Sequence, residues 1–567
     1  MAEDFVSVEE AAERLDLSAA TVRRMCAAGE LSARRVGRRW VIPVASLRSR
    51  RRGRTIRRGG RAAGFDLETS CSHVLNADER ERWVPDILRL EDWAAARADQ
   101  LSVAAARLDG REPYEPATPV EVPKSSFFTR TGHLLSFPDM VAYQSAVGLL
   151  APSIEARLAP TVFSSRLSSD RRHFLIKGRD QWLRWKQAVV SDIRNNGRSF
   201  VICTDITAYF DSIRHDLLLP ELQMLADSSI AVGPIREMLR RWAEVPNNGL
   251  PQGPNASRVL ANFFLIPVDD AMNSLPAVGY FRYMDDIRIT APSRAEAIAA
   301  LRQVERACKL RGLALSAQKT RLLIGDDAIN DIEDEELTAL QYDFDLHADD
   351  VALRKRLGRV LASAIRRQDD LNERRARFSL WRLHRLRDDR MLRPVLANLE
   401  TLTPLGQIIV AYLRPCLSTS RTQRGVTQYL ENLERNTSAY FSAWLFALML
   451  DSRGALPESW LRYSHRVGTD RNQPSWHRAL ALNVMALDGR SGTHRYLREV
   501  VSKEHDPELV RAGLVGLLRA GSLDRAAMST ATTRFSSLRC TVGYLRGRQD
   551  LPSLILPSQR VFTPQAV

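Results

Sequence analysis

Between Gly279 and Thr290 the chain reads GYFRYMDDIRIT, a strand-like alternation that carries two adjacent aspartates. Aspartate is at home in tight turns, where its side chain bonds its own backbone, so the pair marks a hairpin. On that reading Tyr280 to Met284 and Ile287 to Thr290 are the strands, linked by Asp285 and Asp286. Two carboxylates at a hairpin tip also form a hard, anionic oxygen site suited to Mg2+. Turn aspartates are commoner than metal sites, so the rest of the chain has to decide between the two.

A chain of 567 residues is too long for one core and divides into three or four domains. Its 44% hydrophobic content is that of a globular protein. The 82 Lys plus Arg against 67 Asp plus Glu leave a formal charge of +15, which favours a polyanionic partner, most simply nucleic acid. The six cysteines form no CxxC pair and no zinc spacing, as expected of a reduced, cytoplasmic protein. The acidic N-terminus gives no sign of a signal peptide. The most apolar run, AWLFALML at 443–450, is too short to span a bilayer and reads as buried helix, so no membrane partner is expected.

Residues 5–48 show helical periodicity twice, with Ser7 and Ser18 where N-caps belong and Glu10 three residues after Ser7, as in a capping box. Gly29 ends the second segment, and ARRVGRRWVI reads as a small hairpin turning at Gly37-Arg38. Two short helices followed by a wing resemble the winged helix-turn-helix modules of excisionases and MerR-type regulators. The resemblance implies nucleic-acid contacts from Arg23 and Arg24 on the recognition helix and from Arg38 and Arg39 on the wing.

The fold class expected is multidomain α+β: a winged helix-turn-helix, then a domain of mixed strands and helices, then an all-α, HEAT-like helical-repeat domain. Residues 1–50 form the module and 51–75 a basic linker that includes most of the arginine run RSRRRGRTIRRGGR; residues 76–119 form a helical connector with a Pro-rich exit. Strands and helices mix over 120–325. Residues 326–350 read as an acidic linker. From 351 to 567 nearly every segment is amphipathic with helical period.

About eighty residues before the aspartate pair, FVICTDITAYFDSI places Asp205 at the end of an apolar strand. Metal-assisted phosphoryl transfer needs carboxylates converging from different strands on two cations, and Asp205 with Asp285 supplies that bridge. Between them, NNGLPQGPNASRVLANFFL reads as a turn feeding a helix, with Gln252 and Gly253 in a loop whose backbone can approach a base pair. Lys319, in GLALSAQKT, is an ordinary surface charge by type; beside a phosphoryl-transfer site it is a proton donor for pyrophosphate.

In this order the four blocks resemble the palm motifs of the reverse transcriptase family: Asp205 with Phe210 the first, LPQG the second, YMDD the third and LALSAQKT the fourth. The resemblance covers 120–325. It implies an RNA-directed DNA polymerase that holds two Mg2+ ions on Asp205, Asp285, Asp286 and the Ile206 carbonyl. It also implies a steric gate at Phe210 that favours dNTPs. Upstream, VPKSSFFTRTGHLLSFPDMVAYQSAV and FSSRLSSD resemble the finger motifs. By that resemblance Lys124 and Arg130 bind the triphosphate and Arg166 contacts template or nucleotide.

The phrases SFPDMVAYQSAV, FSSRLSSD and DITAYFDSI, followed by a long helical C-terminal half, look most like the abortive-infection and defence-associated reverse transcriptases of bacteria. That likeness implies a role in antiviral defence and a polymerase acting on RNA or DNA, including protein-primed or untemplated synthesis. A homo-oligomer is left open. Asn255 and Arg258 depart from the second motif, where Thr and Pro are usual. The competing readings are a retron-like or group II intron-derived enzyme copying a dedicated RNA, and a DNA-binding regulator with an inactive palm. Three unshielded acids kept together argue against the regulator.

Overall fold

The palm is a four-stranded antiparallel sheet in which the apolar run before Asp205 is an inner strand. A computed structural model of the protein describes residues 5–8, 10, 11, 22, 26, 34–36, 39–43, 61–78, 82–124, 128–170, 172–225, 228–346, 351–365, 371–452 and 454–555. The chain divides into two units, Met1–Phe65 and Asp66–Val567.

In the first unit, strands β1 (Phe5–Val6), β2 (Arg34–Val36) and β3 (Arg39–Pro43) form a sheet in the order β1-β3-β2. Val36 pairs with Arg39, so the expected wing hairpin is present with 37 and 38 between its strands. Phe5 and Val6 pair with Pro43 and Ile42 as a third strand, where the sequence periodicity suggests helix. Ser7 Oγ accepts from the Glu10 N–H at 3.1 Å, as its N-cap position requires. Arg23, Arg24 and Arg38 lie outside the described residues, as does the side chain of Arg39.

In the second unit, a helix begins at Leu67, capped by Asp66, whose side chain accepts from the Thr69 N–H. The linker expected over 51–75 therefore gives way to helix before its end. The connector's helical pattern is broken at Arg89 and Leu90, both at positive φ, where Asp86 Oδ1 accepts from the Leu88 and Leu90 N–H groups. Helices Glu91–Ala95 and Arg97–Leu108 follow. Strands β4 (Thr118–Pro123) and β5 (Thr129–Leu134) pair as an antiparallel hairpin ahead of the long helix Phe137–Glu155.

Strands β6 (Phe200–Asp205), β7 (Gly279–Tyr283), β8 (Asp286–Ala291) and β9 (Arg321–Ile324) form the palm sheet in the order β7-β8-β6-β9. Helices Asn255–Phe264 and Arg294–Leu310 accompany it, the second capped by Ser293, which accepts from Glu296 N–H and donates to the Glu296 carboxylate. The acidic stretch 326–350 contains two helices, Asp326–Glu333 and Glu335–Leu346, rather than only a linker. Its charges alternate with apolar positions: Ala328, Ile329 and Ile332 pack with Trp185, Val189, Cys203 and Tyr283 of the palm.

From Val351 to Leu545 the described residues are helical between short turns. The helix Ala439–Leu450, read from AWLFALML, is buried along Tyr440–Met449. The helices of this half share a core with Trp83, Val84, Ile87 and Leu88 of the connector and with Val120 and Val122 of β4. Arg511, 1% exposed, grips the connector with paired bonds to Asp86 and Asp92 at 2.8–2.9 Å. No helix of the described residues is long and apolar enough to cross a membrane.

Candidate active site

Strand β6 carries Val201, Ile202 and Cys203 buried on both sheet faces and delivers Asp205 at its end. The register pairs Asp205 with Asp286 on β8, and Tyr283 with Asp286 across the β7–β8 hairpin. The turn is therefore Met284-Asp285, one residue earlier than the sequence suggests, with Met284 at φ 57° as the first central position of a primed hairpin turn requires. Asp285 stands at the tip, its carbonyl accepting from Ile206 N–H at 3.2 Å. The fourth motif closes the same corner: Ser316 N–H donates to the Asp205 carbonyl at 2.7 Å and Thr207 N–H to that of Ala314 at 2.9 Å.

Three acids thus share one end of the sheet. Burial, reinforced by the charges of Asp205 and Asp286, pushes the Asp285 carboxyl up to about 7. Burial also raises Asp286, against the pull of Arg288. Two of the three are shielded, contrary to the expectation from sequence. Lys319 Nζ donates to Asp205 Oδ2 at 2.8 Å, and Arg288 is bonded to Asp286 while lying 5.2 Å over the Trp185 ring. Among the described residues no group of three His, Cys, Asp or Glu side chains is arranged to hold a metal. The donor chemistry nevertheless fits a divalent cation, because hard carboxylate oxygens crowd together and the negative charge on Asp285 is opposed by its neighbours rather than matched.

Behind the hairpin lies a support that the motifs do not announce. Arg282, 0% exposed, forms two bonds to Asp269 at 2.7 and 2.6 Å, one to Asn262 Oδ1 at 2.9 Å and one to the Met284 carbonyl at 3.0 Å. Tyr280 donates to the same Asp269 at 2.9 Å. The strained turn is therefore held by a neutralised guanidinium that makes four hydrogen bonds.

The second-motif loop is tied to the residues after Asp205. Leu250 N–H donates to the Phe210 carbonyl at 2.9 Å, and Gln252 Nε2 to Asp211 Oδ1 at 2.9 Å. Phe210 is half-buried, its ring edge-on to Tyr209. Gly253 takes φ +131°, open to glycine. Lys124 is exposed at the tip of the β4–β5 hairpin. Arg130 lies 5.2 Å over Trp83. Arg166 is engaged by Glu155 at 2.7 Å and by the carbonyls of Ala159 and Val162 at 2.9 and 2.8 Å, which makes it a brace of its own loop.

Carboxylates at the end of β6 and at the β7–β8 turn, with a second-motif loop fastened beside them, are the arrangement expected of a palm of the nucleotidyltransferase class. Residues 156–345 match the family model described as Reverse transcriptase (RNA-dependent DNA polymerase), and residues 5–55 match that of a Helix-turn-helix domain. The chain carries a reverse transcriptase domain that follows an N-terminal helix-turn-helix domain in sequence. The match reaches past 325 through both acidic helices, and it begins after the β4–β5 hairpin. No curated protein matches the sequence. A solved structure of telomerase from Candida albicans, in complex with a TWJ fragment of telomeric RNA, is similar at 10% identity and a TM-score of 0.29. It covers 59% of this chain, and this chain spans 66% of that one, too loose a superposition to define a shared fold.

Proposed function

We propose that the protein extends a primer with deoxynucleotides as a reverse transcriptase, with Asp205 and Asp285 carrying the chemistry. The observation that supports this most is the meeting of Asp205, Asp285 and Asp286 at one end of the palm sheet, where burial and the neighbouring charges hold the Asp285 carboxyl well above the usual range. The chemistry that two Mg2+ ions would supply there, when bound, is activation of the primer 3′-hydroxyl and neutralisation of triphosphate charge. Asp205, Asp285 and the Ile206 carbonyl would hold them, while Asp286, bonded to Arg288, would support the pair. Lys319, once it parts from Asp205, gives a proton to departing pyrophosphate. Phe210 crowds the 2′ position of the incoming sugar and selects dNTPs. Gln252 and Gly253 line the nucleotide, and Lys124 meets its phosphates from the fingertip.

The template is RNA or DNA, and the helix-turn-helix domain binds nucleic acid through its arginines. The HEAT-like reading of the C-terminal half and the anti-phage defence role rest on the motif likeness and the long helical half that follows it.

Primer extension with dNTPs and Mg2+ tests the reading. Asp205→Ala or Asp285→Ala should lower incorporation by about a thousandfold or more, a loss at the upper end for one removed charge-stabilising group. Wild-type rates in either variant end the assignment. A wild-type protein that binds nucleic acid but extends no primer favours the regulator, for which the ion pairs of Lys319 and Arg288 are resting contacts.

A further inference from the structure

The second-motif loop is held from outside the matched domain. Trp83, in the connector and 8% exposed, donates its Nε1–H to the Gln252 carbonyl at 2.8 Å. That carbonyl also accepts from the His133 N–H at 3.0 Å, and the Gln252 N–H donates to His133 Nδ1 at 3.1 Å. The indole is wedged where only glycine leaves room: a Cβ at Gly132 would stand 2.5 Å from its Cδ1 and Nε1, and one at Gly253 3.0 Å from Nε1. Behind it, Trp444 of the C-terminal half donates its Nε1–H to the Trp83 carbonyl at 3.2 Å. One residue thus touches the substrate loop, the finger strand β5 and the C-terminal helices.

We propose that Trp83 is a positioning residue for nucleotide binding: its indole sets the height of the Gln252–Gly253 loop against Phe210, and the C-terminal helices act on that loop through it. The inference rests on the polymerase reading proposed above. A residue that only filled space would be replaceable by any ring of similar size. A residue that positions the loop acts through its N–H, and its loss is felt in nucleotide binding before it is felt in turnover. Both glycines belong to the same device: a Cβ at Gly132 would overlap the indole, and one at Gly253, where φ is +131°, would press on it.

The test is steady-state incorporation of a dNTP on a supplied primer and template, with thermal unfolding of each full-length variant. Trp83→Phe keeps an aromatic ring and removes the donor; it should raise KM for the dNTP about three- to tenfold, the worth of one neutral hydrogen bond, with kcat within about twofold of wild type. Gly132→Ala, which displaces the indole without removing it, should move KM in the same direction. Trp93→Phe is the control, because Trp93 sits in the same connector and packs on Phe137 and Arg511 without touching the loop. Its KM should stay at the wild-type value even where its melting temperature drops. KM unchanged in both Trp83→Phe and Gly132→Ala overturns the proposal, as does a KM that follows melting temperature across all three variants. Absence of any incorporation by the wild type overturns the polymerase reading instead, and the two failures are told apart by that single control.

Discussion

Arg282 shows what a buried charge does at the scale of one residue. With Asp269, Asn262 and the Met284 carbonyl around it, the guanidinium makes four hydrogen bonds, and its anionic partner raises its affinity for the proton against the cost of burial. Removing one partner leaves the other charged and dry. Arg282→Met should cost about 3–5 kcal/mol in urea unfolding, and the double change with Asp269→Leu should recover much of it. An unchanged midpoint in the single variant would deny the pair this role. Phe210→Ala tests a neighbouring side chain: the share of ribonucleotide incorporated in competition should rise about tenfold, near 1.4 kcal/mol of discrimination. If it does not, Phe210 is only packing. The aspartates are legible because their chemistry shows in residue type and order. Arg282 leaves a fainter trace: it shares a strand face with the buried Tyr280, an inward position for a cation. Asp269, on a separate helix, leaves none, and neither does Trp83, 169 residues from its partner in the loop.

Elements are legible where one face is apolar and misread where charge masks it. The YMDD hairpin is expected and present, but its turn is Met284-Asp285, because β8 starts at Asp286 to pair with Asp205. The acidic run 326–350 resembles a linker since its carboxylates dominate composition. Ala328, Ile329 and Ile332 nevertheless recur at helical spacing, and they pack under the palm sheet. If the helix Asp326–Glu333 supports β6 and β8, then Ile329→Ala and Ile332→Ala should each cost about 2–4 kcal/mol on chemical denaturation. Losses near zero would return the stretch to a linker. The helix reaches the site by charge as well: Asp331 accepts from Arg321 at 3.1 Å and lies 3.8 Å from Arg288, the partner of Asp286. A helix read as a spacer thus bears on the orientation of Asp286, an acid of the candidate site.

Over the whole molecule the two units call for different cuts. The C-terminal helices bury Trp83, Ile87, Val120 and Val122 in their own core and hold Asp86 and Asp92 through Arg511, so removing 351–567 strips the connector and β4 of their packing. That deletion is expected to give an insoluble protein rather than a shortened enzyme, and soluble, cooperative unfolding of residues 1–350 would contradict it. The N-terminal unit is the opposite case. It ends at Phe65, and the second unit opens on its own helix cap, Asp66, with a bond from Thr69 N–H. Residues 66–567 should therefore fold with the melting temperature of the full chain and extend a supplied primer at a similar rate. The removed segment contains the helix-turn-helix domain and the eight arginines of 48–61, cations suited to pairing with phosphate. Every phosphate that the protein no longer neutralises flattens the dependence of log binding constant on log salt by about 0.9 for duplex DNA, so three or four fewer arginine–phosphate pairs should reduce the slope by about 3. Fluorescence anisotropy across a salt series, alongside primer extension, measures both effects on one preparation. Binding that keeps its full slope without residues 1–65 would place the phosphate-binding cations on the polymerase unit, and extension abolished in parallel with binding would make the N-terminal domain part of the polymerase itself.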